Sequence, residues 1–118
     1  MSASLRRPTL PSVPISEDEF WLHGANFHVN EAKEWTSVVD RRLRTGDLAG
    51  ALEAIDLWAS HTETARANLV RYAVASHRMS EQTVAEACAV TVGRIRTMVK
   101  DGAHRWAEVD PQAKAATS

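Results

Sequence analysis

The sequence predicts an all-α protein. Apolar residues recur at intervals of three and four along most of the chain. No run of alternating β-branched residues, no turn dipeptide of hairpin type and no internal repeat breaks that pattern. The expected layout is an N-terminal helical hairpin, then a three-helix unit containing two short helices joined by a tight turn.

Residues 1–15 carry Pro8, Pro11 and Pro14 without periodicity and read as a disordered arm. Ser16 can cap a short helix with Glu17, Asp18 and Glu19 in its first turn, where the helix dipole favours acids. Phe20, Trp21 and Leu22 form its apolar side and Gly24 its expected stop. Asn30 is an N-cap candidate for the next helix, in which Trp35, Val38, Val39 and Leu43 share a face. Arg41, Arg42 and Arg44 lie near its C-terminus, with Gly46 at C′. Asp47 then caps a helix whose apolar set is Leu48, Ala51, Leu52, Ile55 and Trp58. So short a link implies an antiparallel pair. Thr62 reads as a further N-cap, followed by the stripe Ala65, Leu69, Tyr72, Ala73 and Ser76, widened by Val70 and Val74. The division is thus a helical dimerisation or partner-binding portion over 16–61, a second portion over 62–109, and a disordered tail over 110–118.

The chain has 118 residues, 44% of them hydrophobic and 25% charged, which suits one small globular domain. Cys88 is the single cysteine and has no internal partner, the N-terminus lacks a secretory pattern, and no apolar run approaches the ~20 residues a membrane helix needs. A cytoplasmic protein is expected. The net charge of −1 argues against strong non-specific binding to nucleic acid, but the charge is uneven. Residues 16–78 carry ten acids and seven bases, whereas residues 79–105 carry Arg94, Arg96, Lys100 and Arg105 against Glu81, Glu86 and Asp101. The local face matters for such binding more than the total.

The segment from Ser80 to Gly102 carries the clearest functional signal. Ser80 caps a short helix with Val84 and Cys88 facing inward and a small Ala85 where another helix can approach. The pattern then shifts phase: Val90 is apolar, Thr91 can cap, Ile95, Met98 and Val99 form a second inward face, and Gly102 is the expected stop. The second helix presents Arg94, Arg96 and Lys100 outward, a geometry that fits a DNA major groove.

This segment resembles the helix-turn-helix superfamily of bacterial and phage DNA-binding regulators. Val84, Ala85, Cys88, Val90, Ile95 and Met98 match its apolar and small positions, and Gln82 and Thr91 match common choices at the helix starts. Val90-Thr91 through Ile95-Arg96 is also similar to the last helix-turn-helix of sigma factors. Ala89 departs from the usual turn glycine, which costs strain if its φ is positive. Gly93, inside the second helix, departs too, and would admit close approach of a phosphate or base edge. The resemblance covers about a fifth of the chain. It implies that Thr91, Val92 and Gly93 begin a recognition helix, that Arg94, Arg96, Thr97 and Lys100 make the longer contacts, and that Ser80, Gln82 and Thr83 hold a phosphate. Arg71 and Arg78 would flank the site, and Arg6 and Arg7 would reach a minor groove.

Other constellations are weaker. No two of His23, His28, His61, His77 and His104 share a compact ligand spacing with Cys88, so no metal or other cofactor is expected. A glycine-rich phosphate loop, a serine elbow and paired carboxylates are all missing from the sequence, so an enzyme is not expected. The tryptophans suit either core packing or a subunit interface. A homodimer is expected through Trp35, Val38, Val39, Leu43, Leu52, Ile55 and Trp58, with Trp21 joining it, since helix-turn-helix proteins often bind two half-sites. Trp106 is expected to pack the end of the second helix. The expected function is a sequence-specific double-stranded DNA-binding protein, a small bacterial or phage transcriptional regulator docking the Thr91–Asp101 helix in the major groove. Two alternatives stand beside it: a helical adaptor binding a protein partner, and a DNA-organising or partition protein.

Overall fold

A computed structural model describes residues 16–109; the expected arm and tail lie outside them. Four helices carry these residues: α1 (Glu17–Arg44), α2 (Leu48–Ala75), α3 (Glu81–Cys88) and α4 (Val92–Val109). No strand occurs among the described residues. The all-α expectation and the N-terminal hairpin hold.

Several expected helix ends are not ends. α1 runs unbroken through Gly24 and Asn30, and α2 through Thr62. A mid-helix glycine costs only about 1 kcal/mol, and α1 buries Trp21, Ala25, Ala32 and Trp35 along a continuous stripe. The Thr62 hydroxyl donates to the Ala59 carbonyl at 2.9 Å instead of capping, and Thr64 does the same to Ser60 at 3.0 Å. α4 likewise passes through Gly102.

The chain forms two compact units. The first spans residues 23–66 and is the hairpin of α1 and α2. Its turn follows the expected chemistry. Gly46 takes φ +77°, and the Asp47 carboxylate accepts the Gly50 N–H at 2.9 Å. Arg42 closes the corner by donating Nη1 to the Gly50 carbonyl at 2.8 Å. The packing differs from expectation. Alanines (Ala51, Ala54 and Ala65) form the buried side of α2 here, while Leu48, Leu52, Ile55 and Trp58 are exposed. Small residues allow close helix approach, and that turns the larger side chains outward.

Among the described residues, the second unit contains 16–22 and 67–109. Val70 of α2, Val84 and Ala85 of α3, and Ile95 and Met98 of α4 make its core, with Val74, Cys88, Val90 and Val99 packed around them. Phe20 meets Trp106 with ring centroids 5.3 Å apart, and Trp21 is buried beside it. Trp21 is therefore a core residue of this unit. Trp106 is an inward residue of α4 itself.

Candidate functional site

Two caps and one strained residue set the geometry of α3 and α4. Ser80 has extended backbone, and its Oγ accepts the Thr83 N–H at 3.1 Å. Ala89 ends α3 in the left-handed conformation, at φ 56° and ψ 42°, and directs its N–H back to Ala85 and Glu86. Val90 N–H bonds the Ala85 carbonyl at 3.1 Å, which completes the turn. Thr91 then caps α4 by accepting the Arg94 N–H at 3.1 Å.

α4 is oriented by what it buries. Ile95, Met98, Gly102 and Trp106 face inward, and Ile95 has no exposed surface at all. By helical phase, Gly93, Thr97, Lys100 and His104 form the opposite, outward row. Arg94 lies along one edge of this row and Arg96 along the other, all exposed. Gly93 is open: a Cβ there would meet only the Thr91 hydroxyl, at 3.9 Å. Thr97 returns its hydroxyl to the Gly93 carbonyl at 3.1 Å, so its methyl is the group it offers.

The candidate residues are not equivalent. Arg96 donates Nε to Glu81 at 3.2 Å, tying α4 to the start of α3. Gln82 donates to Glu86 at 3.0 Å, and the Ser80 and Thr83 hydroxyls bond each other at 2.9 Å. Ser80 and Thr83 thus spend their polar groups on the cap of α3, Gln82 spends its amide on Glu86, and Glu81 places negative charge in the first turn. Val92 is half-buried against the core. Gly93, Arg94, Thr97 and Lys100 compose the open part of the surface, with Thr91 at its edge. His104 and Arg105 extend it; they were legible as later positions of the same period.

Arg71 does not flank this surface. It is buried and donates Nε to the Met98 carbonyl at 2.9 Å and Nη1 to Asn68 at 3.2 Å. Its guanidinium lies 5.0 Å from the Trp21 ring centroid. Burial above all, and then Arg105, lower its pKa, while Asp101 opposes them. Arg78 is exposed and stacks over Tyr72 at 5.2 Å.

Within the hairpin unit, Trp35 is buried in the hairpin's own core and offers little surface to a partner. Val39, Leu43, Ile55 and Trp58 line a groove of about 360 Å³ together with Thr36 and Asp40. Leu52 is exposed, and Val38 is half-buried. The hairpin also brings together two histidines distant in sequence. The Nδ1 atoms of His28 and His61 lie 2.9 Å apart. His28 has its pKa lowered by burial first and by His61 second. Among the described residues no three His, Cys, Asp or Glu side chains gather as metal ligands, and no helix is long and apolar enough to cross a membrane.

Compared with protein-family models, with curated proteins and with solved structures, the chain shows no match.

Proposed function

We propose that this protein binds double-stranded DNA by laying the outward face of α4's N-terminal half in the major groove. The carrying observation is the row Gly93, Thr97 and Lys100, edged by Arg94, directly opposite the buried Ile95 and Met98. A major groove admits one α-helix. Gly93 permits close backbone approach, the Thr97 methyl suits a thymine methyl, and Arg94 and Lys100 reach phosphates or guanine edges. The helix N-terminus adds its own partial positive charge.

On this reading the protein is a small transcriptional regulator of bacterial or phage type. It acts in the cytoplasm and needs no cofactor to dock. Arg96 serves chiefly as a strut between α3 and α4, and α3 steadies α4 more than it grips phosphate. A DNA-organising protein would use the same face with weak sequence preference. Titration of ¹⁵N-labelled protein with short duplexes tests the reading. Amide shifts concentrated in Thr91–Lys100 support it; shifts confined to the hairpin, or none at millimolar DNA, refute it.

A further inference from the structure

The hairpin unit turns several large apolar side chains outward. Leu48, Leu52 and Ile55 stand at i, i+4 and i+7 on α2 with 66%, 68% and 45% exposure, and Leu43 on α1 is 54% exposed. Trp58 keeps 41% of its surface in solvent, whereas the other three tryptophans are buried. Isolated exposed apolar residues are ordinary, but a contiguous set around a groove marks an interaction surface. Here the groove between α1 and α2 is lined by Val39, Leu43, Ile55 and Trp58.

The charges beside the groove indicate the occupant. On α1, Lys33, Asp40 and Arg44 follow the helical period along its outer edge, giving a net +1. On α2, Asp56, Glu63 and Arg66 follow the opposite edge, giving a net −1. Asp40 with Arg44, at 3.1 Å, and Glu63 with Arg66, at 2.7 Å, already pair within their helices. Lys33 and Asp56 are therefore the charges left for an intermolecular pair. A surface with one basic and one acidic edge around an apolar centre is complementary to itself under a two-fold rotation. That rotation sets α1 of one copy on α2 of the other.

We infer that this groove is the interface of a homodimer in which two hairpins pack face to face, burying Leu43, Leu52, Ile55 and Trp58. This inference stands independently of DNA binding. If both hold, the dimer presents two copies of α4.

Sedimentation equilibrium on the full chain, from micromolar to several hundred micromolar, tests it together with acrylamide quenching. Trp58 is the exposed tryptophan among four, so it dominates the quenchable emission. The expected result is a mass of twice 13.0 kDa with Trp58 shielded as the dimer forms. Leu52→Asp/Ile55→Asp should return the protein to a monomer with open Trp58 and unchanged helical circular dichroism. Lys33→Glu should weaken the dimer, and Lys33→Glu/Asp56→Lys should restore it. A monomer at every concentration, with Trp58 open or shielded, overturns the inference. So does a dimer that Leu52→Asp/Ile55→Asp leaves intact.

Discussion

Arg71 occupies the space that a side chain on Gly102 would need. A Cβ built on Gly102 would lie 2.6 Å from Arg71 Cδ and 2.8 Å from its Nε. The glycine that reads as a helix stop is instead a slot in α4 through which the Arg71 stem crosses to reach the Met98 carbonyl. Gly102→Ala therefore sets two effects against each other. Alanine gains about 1 kcal/mol in helix propensity, and overpacking a tight contact costs about 1–3 kcal/mol. Because Arg71 is buried and tethered, the clash wins, with a net loss of about 1 kcal/mol by urea denaturation. With Arg71→Ala already made, Gly102→Ala should become stabilising. The same sign in both backgrounds would disprove the contact.

Ala89 is a non-glycine residue at φ 56°. The left-handed conformation costs an L-residue roughly 1–2 kcal/mol, while glycine loses about 0.4–1 kcal/mol through unfolded-state entropy. Ala89→Gly should stabilise the protein by about 0.5–1 kcal/mol. Thermal melts of the two proteins compare them directly, and a lower Tm for the glycine variant would contradict the strained turn.

His28 makes the stability of the hairpin depend on pH. His28 has a folded pKa below its usual 6.5, by burial and by His61. The unfolded chain then binds more protons than the folded chain as pH falls through the region below 6.5. Stability is fully present above that value and is lost as pH drops through the folded pKa. Denaturant midpoints measured between pH 7.5 and 5 should decline, and His28→Gln should flatten the decline. An unchanged slope in the variant would place the titration elsewhere.

Glu81 holds Arg96 and places a negative charge in the first turn of α3, where it would oppose a phosphate in the proposed docking mode. In the proposed docking mode, Glu81→Gln should tighten DNA binding by about 1.4- to fivefold, the equivalent of the roughly 0.2–1 kcal/mol of an exposed pair. Weaker binding would mean that the Glu81–Arg96 strut is needed to hold α4 in place.

Local chemistry is legible in the sequence where a single side chain decides it. Gly46, Asp47, Ser80 and Thr91 do at their helix ends what their residue types suggest, and Ala89 takes the strained conformation that its place in the turn demands. The errors share one cause. Gly24, Asn30, Thr62 and Gly102 look like boundaries by type, but tertiary burial carries the helices through them. The expected apolar face of α2 in the hairpin includes Ala51 but adds Leu48, Leu52, Ile55 and Trp58 and omits Ala54, because hydrophobicity favours the larger side chains whereas close helix packing favours the alanines. Arg71 could not be placed from sequence, since its partner Met98 lies 27 residues away. The outward face of α4 was legible in period. The pairing of Arg96 with Glu81 was not, for the same reason of distance.

Fluorescence anisotropy of labelled duplex DNA at two salt concentrations tests the central claim most directly, with wild-type protein beside Arg94→Ala/Lys100→Ala. Each phosphate contact contributes a slope of about −0.9 in log affinity against log salt. The proposed mode predicts salt-sensitive binding, a slope shallower by about 1–2 in the double variant, and unchanged helical content. Failure of the wild-type protein to bind at micromolar concentration in low salt, or equal binding by the variant, would contradict it.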